Sequence, residues 1–205
     1  MHYTAMDSAR AACDWLCDPA SEVSAHYLVT RDGQDIQMVA DAQRAWHAGA
    51  GEWQGRADVN SRSIGIELDN AGNHPFAEPQ MAALEDLLDR LMQRWDIPPG
   101  GVIGHSDMAP GRKIDPGRRF DWTRLARGGF ALSLGPVEPV DADTDTFEAA
   151  LTGYGMSQSA EPDVRLAAFR ARFRPQADGP LDGIDVALAQ AAAQRFAVDA
   201  QPPTS

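Results

Sequence analysis

The sequence predicts an α/β fold: a mixed β-sheet flanked by helices, followed by a small three-helix C-terminal domain. Three observations carry this. Short apolar, strand-like runs alternate with helix-periodic runs over residues 1–133. A turn signal, Arg31-Asp32-Gly33-Gln34, joins two of the strand-like runs. Beyond residue 133 the composition changes to a Pro/Gly/acidic stretch and then to helical patterning alone.

Met1-His2-Tyr3-Thr4 reads as the end of a β-strand whose earlier residues are missing, so the first strand is expected to be truncated. Asp7-Ser8 can cap a helix to about Cys17, with Ala9, Ala12, Cys13 and Leu16 on one face. Ala25 to Thr30 and Asp35 to Val39 form the predicted hairpin. Residues 44–60 carry Trp46, His47, Gly49, Gly51 and Trp53 without regular period. Ser63-Ile64-Gly65-Ile66-Glu67-Leu68 reads as a short apolar strand. Pro79 to Trp95 is strongly amphipathic, apolar at Met81, Leu84, Leu87, Leu88, Leu91 and Trp95, and Ile97-Pro98-Pro99-Gly100-Gly101 stops it. Val102-Ile103-Gly104 is expected to be a strand that delivers His105, and Asp121 to cap a helix through about Arg127.

These elements make a first domain over 1–133. Residues 134–145 read as a linker. Three helices, Thr146–Leu151, Asp163–Phe173 and Ile184–Phe196, make a second domain over 146–197, and 198–205 read as a disordered tail.

A net charge of −12, from 30 acidic against 18 basic side chains, excludes the basic footprint of a nucleic-acid binder. No run of 18 apolar residues exists, so no membrane-spanning helix is expected. Cys13 and Cys17 lie four apart on a helix, share a face, and are poorly placed to bridge each other; they read as small buried or half-buried apolar residues. The chain is expected to be a monomer.

Gly104-His105-Ser106-Asp107-Met108-Ala109-Pro110-Gly111-Arg112-Lys113-Ile114-Asp115-Pro116-Gly117 carries the chemistry. It joins an imidazole, a cation and a carboxylate on a segment that Pro and Gly keep irregular. A catalytic zinc needs three ligands from His, Cys, Asp or Glu and a fourth position for water. His105 and Asp115 can supply two, and His2 is the best candidate for the third. Glu67, a carboxylate in an apolar strand, is costly there unless it is used, and reads as the general acid/base. Lys113 can stabilise a developing oxyanion. His26 falls within a strand and reads as structural. Together these parts describe zinc-assisted hydrolysis of an amide.

His2-Tyr3-Thr4-Ala5, Ser24-Ala25-His26-Tyr27-Leu28-Val29, Ala45-Trp46-His47-Ala48-Gly49, Ser63–Leu68 and Gly104–Gly117 occur in order. In this the chain resembles the zinc N-acetylmuramoyl-L-alanine amidases of the type 2 family, whose fold is shared with phage T7 lysozyme and the peptidoglycan recognition proteins. Position by position, the resemblance implies Zn2+ on His2, His105 and Asp115, with Glu67 as acid/base and Lys113 as transition-state stabiliser. It implies His47 as a substrate contact bordering the cleft. Tyr154-Gly155, Phe169 to Pro175 and Asp178-Gly179 resemble the three-helix peptidoglycan-binding domain. That pairing implies the two-domain branch, often an outer-membrane lipoprotein, and so a cell-envelope or periplasmic location acting on peptidoglycan or muropeptides. A cytoplasmic location, as for the single-domain recycling branch, is the alternative. The rival functions are a non-catalytic peptidoglycan-binding protein on the same fold and a zinc peptidase.

Overall fold

The computed structural model describes residues 1–199. Four short strands make one mixed sheet: β1 (His2–Tyr3), β2 (Tyr27–Val29), β3 (Asp35–Gln37) and β4 (Ile66–Leu68), in the spatial order β1-β4-β2-β3. β4 is parallel to both β1 and β2, and β2 pairs antiparallel with β3. The predicted hairpin therefore forms, with Gly33 at φ +90°, a left-handed position that glycine reaches without steric cost.

α1 (Ala9–Leu16) begins where Ser8 accepts a hydrogen bond from the Ala11 amide at 3.2 Å. α2 (Glu78–Trp95) buries Met81, Leu84, Leu87, Leu88 and Leu91 in a core with Val29, Ile66 and Leu68 of the sheet. Gln80, fully buried on the same helix, donates to the carbonyls of Val29 and Asp69 and so ties α2 to the ends of two strands. Trp95 departs from the predicted face. It is 41% exposed, because the helix has outrun the sheet by its last turn, and its indole donates to Asp41. Cys17 is likewise exposed rather than buried, Cys13 is half-buried, and both are free thiols.

The expected strand at 102–104 does not form. Asp107 accepts a hydrogen bond from the Gly104 amide at 2.7 Å and starts a short helix, α3 (His105–Met108), at the point where a strand would have continued. Two bonds still hold this segment beside β1: the Met1 amino group donates to Ile103 O, and the His105 amide donates to Met1 O. α4 (Trp122–Arg127) follows, capped by Asp121 as expected.

The C-terminal helices are longer than the pattern indicated: α5 (Thr144–Tyr154), α6 (Pro162–Phe173) and α7 (Gly183–Asp199). Asp143, inside the expected linker, caps α5 by accepting from the Thr146 amide at 2.7 Å. The segment before α5 is also tied down: Val140 donates to Gly183 O, and a Cβ on Gly183 would fall 1.9 Å from Val140 O. α7 runs to Asp199, and the rest of the predicted tail lies outside the described residues.

A second core sits between the sheet half and these helices. It unites Ala48, Trp53, Val59, Met108 and Ala109 with Phe147, Leu151, Tyr154, Leu166, Phe169 and Phe196. Met108 and Ala109 come directly after the turn that carries His105, so the packing of the helical half reaches the candidate site.

Candidate metal centre and active site

Register brings the first two groups together. His2 of β1 is the Cα partner of Glu67 in β4, and residues opposite each other in a sheet project from the same face. α3 then presents His105, and the following loop folds back so that the Ser106 amide donates to Asp115 O. His2, His105 and Asp115 are all buried, and one ligand atom from each lies within 4.8 Å of the others. His2 Nδ1 is 2.8 Å from His105 Nδ1 and 2.9 Å from Asp115 Oδ2; His105 Nδ1 is 3.0 Å from the same oxygen.

The donor chemistry fits a cation at this point. His105 Nε2 is 2.8 Å from Ala48 O, and only an N–H can satisfy that contact, so its Nδ1 is left as a bare lone pair. His2 Nε2 is 3.1 Å from His47 Nδ1; a proton on Nε2 leaves a second lone pair on His2 Nδ1. Two imidazole lone pairs and a carboxylate oxygen then converge, which is unfavourable unless a positive charge sits among them. The carbonyl behind His105 fixes that ring's tautomer and direction, as outer partners of metal-binding imidazoles do.

Electrostatics agree. Burial holds the His2 imidazolium pKa well below its usual value, so the ring is neutral and free to ligate. Burial also lowers His47, to about 3. Glu67 goes the other way: burial first, then the nearby Asp115 charge, push it up to about 7. Its Oε2 is buried with no hydrogen-bond partner among the described residues. A carboxyl with a pKa near neutrality, in a cleft, suits proton transfer.

The cleft has a volume of about 590 Å³, and His47, Glu67, Lys113 and the three convergent residues all line it. Lys113 is exposed on its rim. Arg112 donates to Ala48 O at 2.7 Å and so shares the carbonyl that orients His105. His26 is buried and fully engaged, accepting from the Gly65 amide at Nδ1 and contacting Gln43 O through Nε2, in keeping with a structural role.

Gly65 carries a consequence for the site. A Cβ there would meet His47 Cγ at 2.2 Å. Gly65→Ala is expected to displace the His47 ring, to lower stability by about 1–3 kcal/mol through overpacking, and to loosen the contact with His2. Chemical denaturation together with a zinc titration checks both effects.

A buried pair was invisible in the sequence. Arg172 of α6 donates to Asp107 Oδ2 at 2.7 Å, behind His105. The only hint was an arginine on the helical repeat of Ala168, Phe169 and Phe173, which reads equally well as a solvated charge.

The fold and this site suit a hydrolase in which two buried imidazoles and a carboxylate could hold a metal ion beside a further carboxyl. Residues 1–118 match the family model for N-acetylmuramoyl-L-alanine amidase. The chain is 32% identical over 231 aligned residues to the N-acetylmuramoyl-L-alanine amidase AmiD of Escherichia coli K12, covering 97% of this chain and 83% of that protein. It is 44% identical over 103 residues to the 1,6-anhydro-N-acetylmuramyl-L-alanine amidase AmpD of Haemophilus influenzae, covering 50% of this chain and 56% of that protein. Among solved structures, E. coli AmiD in complex with anhydro-N-acetylmuramic acid-L-Ala-D-γ-Glu-L-Lys superposes with a TM-score of 0.83, covering 95% of this chain and 87% of that one. AmpDh3 of Pseudomonas aeruginosa superposes with 0.82 at 29% identity, covering 96% and 90%. The chain belongs to the N-acetylmuramoyl-L-alanine amidase family and is an amidase of peptidoglycan fragments. Among the described residues no helix is long and apolar enough to cross a membrane.

Proposed function

We propose that the chain hydrolyses the amide between the lactyl group of N-acetylmuramic acid and L-alanine of the stem peptide, with one zinc held by His2, His105 and Asp115. The observation that supports this most is the convergence of three buried acceptor atoms near a carboxyl, Glu67, whose buried Oε2 has no partner among the described residues. When bound, zinc supplies Lewis-acid polarisation of the carbonyl and acidifies its water. The Glu67 carboxylate takes the proton of the attacking water and delivers it to the leaving amine nitrogen, so the carboxyl ends each turnover as it began. Lys113, on the rim, supports the negative charge that develops on the carbonyl oxygen. His47 borders the cleft, with its Nε2 3.4 Å from Ser63 Oγ, and contacts substrate.

The division into an amidase domain (1–133), a linker (134–145) and a wall-binding helical domain (146–197) belongs to the same reading. So does action as a monomer in the cell envelope on peptidoglycan or its muropeptides. A second contact with the polymer from 146–197 would raise the effective concentration of substrate at the cleft.

Incubation of the zinc-loaded protein with a soluble muropeptide, followed by mass spectrometry, tests the reaction. The expected products are the intact stem peptide with a free L-alanine amino terminus and the peptide-free saccharide ending in N-acetylmuramic acid with a free lactyl carboxylate. Fragments cut within the stem would replace the amidase reading by a zinc peptidase. No product, with substrate still bound, would replace it by a peptidoglycan receptor.

A further inference from the structure

We propose that Arg172, a residue of the helical half, is a positioning residue for the metal ligand His105. The inference rests on the metal reading above. Arg172 Nη1 donates to Asp107 Oδ2 at 2.7 Å, and Nη2 donates to Val102 O at 2.9 Å. The two contacts bracket His105 in sequence, one on each side. Asp107 Oδ2 also accepts the Gly104 amide at 2.7 Å, the bond that begins α3 and fixes the direction in which His105 leaves the backbone. The Asp107 carbonyl receives the Ser157 amide, a further bond from the helical half.

The guanidinium cannot move to another partner cheaply. Arg172 is 5% exposed and Asp107 1%. Its planar head lies over the Trp122 ring at 4.0 Å from the centroid, so one face stacks while two edges hydrogen-bond. Removing Arg172 leaves Asp107 a buried charge without compensation. Asp107 is then no longer held from that side and can turn away, which weakens its hold on Gly104. The first turn of α3 frays, and His105 must be ordered again each time metal binds.

The test is zinc affinity, measured by competition with a chromophoric chelator on full-length protein, at a temperature where circular dichroism shows each variant folded. Arg172→Met is expected to weaken zinc binding by roughly 10-fold, the low end of the effect of losing a direct partner of a metal ligand, because Arg172 acts through Asp107 rather than on His105 itself. Arg172→Lys should fall between, because an ammonium keeps the charge but cannot span Asp107 and Val102 O as the planar fork does. It also keeps the test decisive should the methionine variant not fold. Arg170→Met is the control. Arg170 sits on the same helix, and its hydrogen bonds go to buried Asp185, Gly179 O and Pro180 O rather than to the ligand loop. It should lower the melting temperature and leave zinc affinity unchanged. Parental affinity in folded Arg172→Lys, or equal weakening by Arg170→Met, would overturn the proposal. A parent protein with no zinc affinity would overturn the metal site itself, and the inference with it.

Discussion

Glu67→Gln is expected to retain zinc and fold while losing about 10²–10⁴ in turnover, because it keeps the size of the side chain and removes the proton acceptor. The same substitution should stabilise the metal-free protein at alkaline pH. Burial and the Asp115 charge raise the Glu67 pKa to about 7 in the folded chain, above its unfolded value. Below the unfolded value the carboxyl is protonated in both states and imposes no penalty. As pH rises towards 7 the unfolded chain releases this proton and the folded chain does not, so stability falls. Above 7 the full cost, about 3 kcal/mol, is in place. Gln carries no such charge. The melting temperature of zinc-free Glu67→Gln should therefore exceed that of the parent at pH 8, with the difference vanishing near pH 4. A variant that turns over at parental rate would remove Glu67 from the chemistry. A variant with no alkaline stabilisation would mean that the carboxyl is solvated in solution.

His105→Ala is expected to abolish stoichiometric zinc binding and, with it, activity. Its Nδ1 is one of the three convergent atoms, and the two remaining ligands fall short of the three that a catalytic zinc takes from the protein. Metal analysis should fall from about one zinc per chain to background. The rise in melting temperature that zinc gives the parent should also disappear, since a ligand that binds the native state stabilises it by an amount that grows with the logarithm of its affinity. Full zinc retention by this variant would show that the metal is held elsewhere. Protein that loses zinc but still hydrolyses muropeptide would separate the metal from the reaction.

Much of the sheet half was legible because its signals are local. The Asp32-Gly33 turn, the leucine spacing of α2 and the Ser8 and Asp121 caps each declare an element within a few residues. Glu67 was legible because a carboxylate in an apolar strand conflicts with its surroundings, and such conflicts mark sites. His105 and Asp115 stood out because ten residues of Pro- and Gly-rich chain can return one to the other. The 102–104 strand was misread because the choice between extension and a helical turn depends on one side chain, Asp107, capturing one amide. Arg172 is 65 residues from Asp107 in sequence. Nothing local distinguishes it from the arginines around it, and only the folded chain shows where it goes.

The apolar core shared by the two halves makes the boundary between them a liability if it is ever opened. Trp53, Val59, Met108, Ala109 and Leu132 are covered by Phe147, Tyr154, Phe169 and Phe196. Cleavage in the segment before α5, by a protease or by design, would turn that covered surface into a continuous sticky patch of the kind that drives self-association. The helices would be left with the complementary patch. The two halves are less like beads on a string than like the faces of a split fruit stone, and proteolytic release of the sheet half is expected to lead to self-association rather than to a separate working domain.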